Sequence, residues 1–491
     1  MPTPRRRIRR FRFLRVAPAL ALLAALGFAG GYAPAVRIMT DLLPAAEAAD
    51  WKGEIGLFQF GYDDAGAWRM ALVKGDPKGR TLQGTVARQA IFWSCVQPRQ
   101  GAWELEKCRQ IKMIDQLQDA GWRVQVVLRT KRGEFGKAPF WATGAAERGD
   151  KSDASHAPSD LRDAASPEFG YSETYYAFVR RVLDYYCDGA ACRIHSLVIE
   201  NEANADDKWR GRGNSPENDV EDYVRLVATA RKAVDDSGAR IALYDSGLQG
   251  SAILWNVVEE HGKKGVSEAT AAYRKAFNES MAPGEMSKKL GKRGNNPTNR
   301  KILLMLESDL YRYTDGLNFH HYQTPESVAE LIDFLRRHGP AGHPLVANEV
   351  GIKSNIIKDE SPDLVNAWMI QKLVYLFDAG VSPIVWFTVP AGTNIGSFVD
   401  DNKRFKPAAA DAYNVFAERV GAGLTEVSVD SATAGGRPLV RARLQGSAGP
   451  FAVEWFADGA AGDWAGVAPP AGCDADAAPY RTGYLRILDC R

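Results

Sequence analysis

The chain repeats one pattern eight times: a short segment rich in Val, Ile and Leu, followed by a longer segment with helical spacing of its apolar residues. Near-continuous apolar strands separated by helices are typical of a parallel sheet that is covered on both faces. Eight such units predict an α/β fold, a (β/α)₈ TIM barrel, with a doubly wound open sheet as the alternative. The predicted strands are residues 54–60, 86–93, 122–129, 194–200, 240–246, 316–322, 344–350 and 383–389.

Three predicted parts divide the 491 residues. Residues 1–49 form an export signal or a signal-anchor, and residues 50–422 form the barrel domain. In residues 423–491, short alternating runs of Thr, Val, Gly and Pro replace the helical spacing, which predicts a small all-β domain. No G-x-G-x-x-G follows the first strand, so the dinucleotide-binding version of the open sheet is disfavoured.

The N-terminus predicts export. Seven Arg within residues 1–15 precede an uninterrupted apolar stretch at residues 16–33, which is the order of charge and hydropathy in an export signal. The stretch is also close to the shortest that spans a bilayer, so an uncleaved membrane anchor is the alternative. In both cases we expect the rest of the chain to be secreted or periplasmic, with membrane contact only through that anchor.

Charge and composition exclude several classes of protein. With 45% hydrophobic and 25% charged residues, the chain is neither disordered nor a multi-span membrane protein. Residues 1–48 hold eight Arg and two acidic residues, so the net charge of +2 comes from this segment and the remainder is mildly acidic. A mildly acidic body gives no electrostatic reason to expect nucleic-acid binding.

The six cysteines are expected to form disulfides. An even number of cysteines in an exported chain favours bridges, although sequence alone permits many pairings. A zinc site is the alternative, but the chain has no C-x-x-C pair and no His cluster near the cysteines. The near neighbours that suggest pairing are Cys95 with Cys108, Cys187 with Cys192, and Cys473 with Cys490.

Several catalytic motifs are absent from the sequence. The seven His show no H-E-x-x-H or close H-x-H spacing, and there is neither a G-x-S-x-G elbow nor a P-loop. We therefore predict no metal and no cofactor, and a metal-dependent barrel hydrolase is poorly supported. The remaining possibility is acid–base catalysis by carboxylates at the ends of the strands.

Two glutamates fit that chemistry. Glu202 and Glu349 each follow an Asn at the end of an apolar strand, the fourth and the seventh in our numbering. These strands lie across the mouth of a barrel from each other, so the two carboxyls are predicted to face each other. A glycosidase needs such a pair, one group to protonate the leaving oxygen and one to attack or to activate water. A single Glu at a strand end more often only caps a loop or pairs with an Arg.

With these residues in place, the sequence resembles glycoside hydrolase clan A, the (β/α)₈ retaining glycosidases, and most of all its bacterial family 39-like and family 5-like members. "VIENEAN" is similar to the strand-four Asn-Glu signature of the clan, "DGLNFHHYQ" to its strand-six His-x-Tyr, and "ANEVG" to its strand-seven Glu-x-Gly. Residues 91–130 resemble its passage from strand two to strand three. The resemblance covers about residues 51–420, except that the long basic stretch 251–314 has no match. That stretch is predicted to be a wall of the cleft or a solvated insertion.

The resemblance implies roles for the residues around the two glutamates. Glu202 would be the acid/base and Glu349 the nucleophile. Asn201 would hydrogen-bond the 2-hydroxyl of the sugar, and Arg88 would keep Glu349 ionised. The sequence departs from the clan at Ala203, where Pro is usual.

Three more side chains complete the implied sugar site. Tyr322 would position the nucleophile, His320 would line the sugar site, and Trp386 would form a stacking floor beneath a sugar. A buried ion pair for Arg88 and plain core positions for His320 and Trp386 are the alternatives. Glu200, two residues before Glu202 on the same strand face, stands where an aromatic residue is usual and competes for the acid role.

These expectations combine into one functional prediction. The chain is expected to be a retaining β-glycoside hydrolase that acts on a polysaccharide or an oligosaccharide. The alternative, from a different class, is a non-catalytic carbohydrate-binding protein on a glycosidase-like barrel, since fold alone does not set function.

Overall fold

Eight parallel strands, one for each repeat in the sequence, form the central sheet of the molecule. The computed structural model describes residues 52–58, 82–131, 140–148, 154–213, 215–293, 296–357, 359–387 and 407–491. The predicted export segment 1–49 lies outside the described residues. The strands are β1 Ile55–Phe58, β2 Val86–Phe92, β3 Arg123–Arg129, β4 Ile194–Ile199, β5 Ala242–Tyr244, β6 Leu317–His321, β7 Leu345–Val350 and β8 Ile384–Phe387.

The sheet closes on itself. Its strands follow one another in chain order, from β6 through β7 and β8 to β1 and on to β5, and a ninth short strand, Leu248–Gln249, continues β5 beside β6. A parallel bridge between Tyr244 and Gly316 joins β5 to the start of β6. A ring of parallel strands in sequential order is a (β/α)₈ barrel, so the predicted fold class is confirmed. The doubly wound alternative is excluded, because strand order reverses within such a sheet.

Both faces of the barrel strands are covered. All six residues of β7 are buried, although successive side chains of a strand point to opposite faces. Inside the barrel, four apolar side chains from β3, β4, β5 and β7 pack together, namely Val127, Val198, Tyr244 and Val346. Ala347 and Val350 of β7 belong instead to the large core beneath the helices. The near-continuous apolar runs in the sequence follow from this double burial.

The helices pack around the barrel, and hydroxyl side chains cap several of their N-termini. Ser172, Ser215 and Ser361 each accept a hydrogen bond from the backbone N–H three residues further on. None of the helices in the described ranges has the length and hydropathy needed to cross a bilayer. The α-helices are α1 Trp93–Val96, α2 Arg109–Asp119, α3 Gly144–Arg148, α4 Glu173–Tyr186, α5 Pro216–Ser237, α6 Gly250–Gly262, α7 Val266–Phe277, α8 Pro283–Arg293, α9 Pro297–Glu307, α10 Val328–His338, α11 Ser354–Ile357, α12 Pro362–Asp378 and α13 Pro407–Val420.

The stretch 251–314, which has no match in the clan, is largely helical. Its helices α6 to α8 enclose a small core of their own, formed by Trp255, Val258, Ala269, Ala272, Tyr273, Met281 and Met286. Lys301 of α9 is fully buried, and its Nζ lies 2.6 Å from Asp206 and 2.5 Å from Asp219. Because Asp206 stands four residues after Glu202, this contact ties the insertion to the loop of the proposed acid/base. The stretch is therefore packed against the rest of the barrel domain and is not an insertion surrounded by solvent.

A separate antiparallel sheet follows the barrel. Its five strands run in the order β9, β10, β11, β13, β12 and are β9 Leu424–Ala434, β10 Arg437–Gly446, β11 Gly449–Phe456, β12 Tyr480–Arg481 and β13 Leu485–Asp489. Glu454, fully buried in this sheet, pairs with Arg441 and Arg486. The small all-β domain predicted after the barrel is therefore a single antiparallel sheet.

All six cysteines are paired. The bonds join Cys95 to Cys108, Cys187 to Cys192, and Cys473 to Cys490. Each bond links near neighbours in the chain, as the spacing suggested, and no cysteine remains for a zinc site. Three disulfides are consistent with a compartment outside the cytoplasm.

Candidate active site

Glu202 lies just beyond β4, in a turn that β5 holds in place. The backbone N–H of Glu202 donates to Ser246 O over 2.9 Å, and the N–H of Ala203 donates to Ser246 Oγ over 3.0 Å. Ser246 is available because strand five is interrupted between Tyr244 and Leu248. Glu202 itself has a φ of 48°, which a non-glycine residue adopts only where its surroundings fix it. The turn directs a mostly buried carboxyl toward the barrel axis.

Glu349 is the inward-facing acid of β7, and both of its oxygens are engaged. Arg88 Nη1 lies 2.5 Å from Oε1, and the hydroxyl of Tyr322 donates to Oε2 over 2.6 Å. Burial alone would raise the pKa of Glu349, but the charges of His320 and Arg88 outweigh burial and hold this pKa below its usual value. Burial and the Glu349 charge raise the pKa of Tyr322 far above its usual value, so its hydroxyl remains a donor. Glu349 is therefore an ionised carboxylate.

The two carboxyls meet at the mouth of the barrel. One side-chain atom of each of Glu202, His320 and Glu349 lies within 4.8 Å of the corresponding atoms of the other two residues. Carboxyl groups about 5–5.5 Å apart are typical of retaining glycosidases, whereas inverting enzymes separate them by about 6.5–9.5 Å. The short separation fits a nucleophile and an acid/base on opposite sides of one bond.

Arg88 joins the two sides of the site. Its Nη1 contacts Glu349, and its Nη2 donates to Asn201 Oδ1 over 2.7 Å. A guanidinium has no acceptor, so the Asn201 atom that faces it must be the oxygen. Arg88 is almost fully buried. Its ion pair is with Glu349, the residue that it is predicted to keep ionised, and its hydrogen bond to Asn201 joins the ends of β7 and β4.

His320 of β6 lies between the two glutamates rather than at the edge of the site. Its Nδ1 is 2.9 Å from Glu202 Oε1 and 3.3 Å from Glu349 Oε2. The ring is fully buried. Its neighbour His321 points the other way, where its Nε2 is 2.9 Å from Ser327 Oγ.

Three residues at this site are absent from the sequence-based prediction. Asn348 Oδ1 lies 3.0 Å from Nε2 of His320, and Gln249 Nε2 is 3.5 Å from Glu202 Oε2. A Cβ on Gly247 would approach His320 Nε2 to 2.2 Å, so only glycine leaves room for the imidazole. Asn348 belongs to one of the two Asn-Glu pairs of the sequence, but the pair pattern indicated a role only for its glutamate.

Glu200 is held in a different position from Glu202. It is fully buried, and its Oε1 accepts a hydrogen bond from Thr130 N over 2.5 Å. Its Oε2 lies 3.4 Å from Arg129 Nε. The contacts of Glu200 are thus to the end of β3 and not to Glu349. The acid/base prediction therefore remains with Glu202.

The predicted stacking floor at Trp386 is not found. Trp386 is in register with Leu57 and Val350, and all three belong to the core between the barrel and the helices. Because side chains alternate along β8, Phe387 points into the barrel instead and packs edge-on against Tyr322, with ring centroids 5.7 Å apart. The site therefore has Phe387 where the sequence-based prediction put Trp386.

In the part of the chain that the structure describes, Glu202, His320 and Glu349 are the group best arranged to ligate a metal. Both oxygens of Glu349 already have donors, Arg88 and Tyr322. A guanidinium in contact with the would-be ligand also repels a divalent cation. We therefore assign no metal to this site.

Comparison with known proteins gives a likeness of fold. No family model matches the sequence, and no curated protein matches it. A family 39 glycoside hydrolase from the gut symbiont Bacteroides cellulosilyticus WH2 is similar in structure, at 12% identity and a TM-score of 0.49, over 89% of this chain and 81% of that one. A monomeric β-xylosidase from Caulobacter crescentus CB15 is similar at 14% identity and a TM-score of 0.41, over 81% of this chain and 75% of that one.

An exo-β-1,4-mannosidase from Opitutaceae bacterium strain TAV5 is a third example, at 15% identity and a TM-score of 0.42, over 74% of this chain and 59% of that one. The similar structures include members of families 39 and 5, the two families that the motifs of this chain resemble.

Proposed function

We propose that this protein is a retaining β-glycoside hydrolase that acts on a polysaccharide or an oligosaccharide outside the cytoplasm. The observation that carries the proposal is the pair of carboxyls across the barrel mouth, one tied to Arg88 and Tyr322 and the other to His320. The two environments differ in the way that a double displacement requires. Glu349 has two donors, Arg88 and Tyr322, that favour its ionised form, and Glu202 is assigned the role of proton donor and acceptor.

In the first step, Glu349 attacks the anomeric carbon while Glu202 gives its proton to the leaving glycosidic oxygen. A bond forms between the Glu349 oxygen and the sugar, and the bond to the leaving group breaks. In the second step, Glu202 takes a proton from water, the water oxygen attacks the anomeric carbon, and Glu349 leaves as a carboxylate. Asn201 is placed to bind the 2-hydroxyl, a contact that strengthens as positive charge develops on the sugar ring.

The test is a screen of the purified protein against diverse β-linked polysaccharides and aryl β-glycosides, with the products identified by mass. Proton NMR of the first product should give the same anomeric configuration as the substrate. Glu349→Gln should retain less than about a hundredth of the activity, because loss of a nucleophile costs several decades in rate. Glu221→Gln, an exposed position on α5, is the matched control and should keep full activity.

Two outcomes would overturn the proposal. Activity in Glu349→Gln close to that of the control would remove the nucleophile role. Carbohydrate binding without turnover in the wild-type protein would favour the non-catalytic binding protein instead.

A further inference from the structure

A buried tyrosine of α5 lies behind the turn that carries Glu202. Tyr223 is fully buried, and its ring packs edge-on against that of Trp209, with ring centroids 5.7 Å apart. Its hydroxyl donates to the backbone oxygen of Ile199 over 2.8 Å and accepts from the backbone N–H of Ser246 over 2.7 Å. Ile199 is the last residue of β4, and Ser246 follows β5. One hydroxyl therefore joins the ends of two neighbouring strands behind the active site.

The backbone between these two bonds has an unusual conformation. Glu200 has a φ of 68° and Glu202 has a φ of 48°, in the left-handed region that non-glycine residues rarely adopt. Tyr223 holds Ile199 just before this stretch. It also holds Ser246, whose backbone oxygen accepts from the N–H of Glu202 over 2.9 Å. Because such a backbone persists only where its surroundings fix it, the bonds of the Tyr223 hydroxyl help to maintain the turn.

The hydroxyl of Tyr223 keeps its proton. Burial raises its pKa well above the usual value, and the charge of Asp245 raises this pKa further. Replacement by Phe would take this partner from two buried backbone groups, the C=O of Ile199 and the N–H of Ser246. A buried polar group without a partner is costly, so the backbone is expected to shift toward other partners. A shift of Ser246 would move Glu202, because the Ser246 oxygen holds the Glu202 N–H.

We infer that Tyr223 is a positioning residue for the acid/base, and that its hydroxyl fixes the turn that directs the Glu202 carboxyl toward the leaving oxygen. The catalytic consequence rests on the proposed function, whereas the hydrogen bonds of the turn do not. Tyr223 acts through the backbone and through Ser246, not by contact with a substrate. A misplacement of about 1 Å can cost about 100-fold in rate, so loss of this one hydroxyl is expected to slow proton transfer strongly.

The nucleophile is held by a different set of contacts. Glu349 is bonded to Arg88 on β2 and to Tyr322 just after β6, and neither contact involves α5. Loss of the Tyr223 hydroxyl should therefore disturb the acid/base and leave the nucleophile in place. Substrates that differ only in their leaving group separate these two effects, because only the acid/base protonates the leaving oxygen.

The test compares two buried tyrosines whose hydroxyls bond to a barrel strand. Tyr223→Phe removes the hydroxyl and keeps the ring. Tyr413→Phe is the matched control, because Tyr413 of α13 is also fully buried and its hydroxyl donates to Gly56 O of β1 over 3.2 Å. Both variants should unfold at a lower denaturant concentration than the wild-type protein, since each loses a buried hydrogen bond. A loss of stability alone therefore does not distinguish them.

Kinetics with two leaving groups distinguish a positioning role from a merely structural one. The sugar is the one that the substrate screen identifies. In Tyr223→Phe, kcat/KM should fall by about 100-fold on an alkyl glycoside, whose leaving oxygen needs a proton. On the dinitrophenyl glycoside of the same sugar, which needs little protonation, kcat/KM should stay within about threefold of the wild-type value. Tyr413→Phe should show no such difference between the two substrates.

Hydrogen exchange reports on the turn without a substrate. The backbone N–H groups of residues 199–206, followed by mass spectrometry, should exchange about tenfold faster in Tyr223→Phe, because loss of a buried hydrogen bond makes local opening easier. In Tyr413→Phe, the exchange of this segment should match that of the wild-type protein.

An equal loss of kcat/KM on both leaving groups in Tyr223→Phe would overturn the inference, and so would unchanged exchange of the turn. If the turn exchanges faster and the wild-type protein cleaves no glycoside, the proposed function fails, and the role of Tyr223 in holding the turn stands.

Discussion

Arg88 donates from Nη2 to Oδ1 of Asn201 over 2.7 Å, and this bond fixes which way the amide faces. Asn201 Oδ1 accepts from Arg88, so Asn201 can contact a ligand as a hydrogen-bond donor through Nδ2. Asn201 is half-buried at the end of β4, beside Glu202. A donor at this place suits a sugar hydroxyl next to the anomeric carbon.

Asn201→Asp should therefore lose turnover while it keeps the fold. The aspartate can still accept from Arg88, but it has no proton to donate to the 2-hydroxyl. We expect kcat/KM to fall by about 100-fold, the usual effect of removing one donor that acts in the transition state. Steady-state kinetics with a glycoside and its 2-deoxy analogue measure this, because the analogue should be cleaved equally well by both proteins. An equal loss on both substrates would contradict the role.

Glu202→Ala should behave as an acid/base variant and Glu200→Ala should not. Without Glu202, substrates with poor leaving groups should slow far more than activated aryl glycosides, which need little protonation. Azide should restore part of the activity, since a small anion attacks the glycosyl-enzyme without help from a base. Glu200→Ala should show neither effect. Because Glu200 accepts from Thr130 N, its loss leaves that buried N–H without its acceptor and should lower the stability of the protein. Azide rescue at Glu200 instead would move the acid role to that residue.

Trp386 and Phe387 give a prediction about the two faces of β8. Trp386→Phe should lower the free energy of unfolding by about 1–3 kcal/mol, because it leaves a cavity among the helices, and should leave kcat/KM within about twofold. Phe387→Leu should lower kcat/KM by about tenfold, because it loosens the Tyr322 ring that holds Glu349. Denaturant unfolding and kinetics on both variants separate the two roles. A larger kinetic loss in Trp386→Phe would restore the tryptophan to the sugar site.

Glu54, just before β1, makes stability depend on pH. Burial opposes its ionisation, but the hydrogen bonds and charges of His195 and Arg123 outweigh burial and lower the pKa of Glu54 to about 2. Because this value lies below that of the unfolded chain, the stabilisation is complete above about pH 4.5 and is lost as the pH falls toward 2. The wild-type protein should exceed Glu54→Gln in free energy of unfolding by about 1–2 kcal/mol at pH 6, after allowance for screening by water.

That difference should shrink toward zero near pH 2.5. Chemical denaturation of both proteins at a series of pH values measures it. Glu221→Gln is the control, since an exposed glutamate on α5 should give a difference that stays small throughout. A Glu54→Gln difference that does not change with pH would argue against the depressed pKa.

Strand positions and the glutamate pair were predictable because each depends on local sequence. A strand buried on both faces is mostly apolar along its length, so most of the barrel strands appear as apolar runs, although β6 reads LNFHH. The ends of parallel strands meet at one edge, so the Asn-Glu pairs at 201–202 and 348–349 had to converge there once the fold was known.

The register of β8 and the hydrogen bonds of His320 were not predictable in the same way. Alternation makes Trp386 and Phe387 point in opposite directions, but only the pairing of β8 with β1 and β7 decides which one faces inward. The two ring nitrogens of His320 meet atoms from β4 and β7, which are distant in the chain. Packing between distant segments decides such contacts, and no local pattern encodes them.

The first strand of the barrel and the first strand of the C-terminal sheet share a backbone bridge. Gly53 N donates to Leu424 O over 2.9 Å, and Leu424 N donates to Gly53 O over 2.8 Å. A shortened chain that stops at the end of α13 would therefore leave the N–H and the C=O of Gly53, just before β1, without these two partners. The C-terminal sheet thus anchors the segment that leads into β1, while the pairing of β1 with β8 and β2 closes the barrel. An exchange of the C-terminal domain of this protein would therefore have to include residues 52–54 together with the sheet.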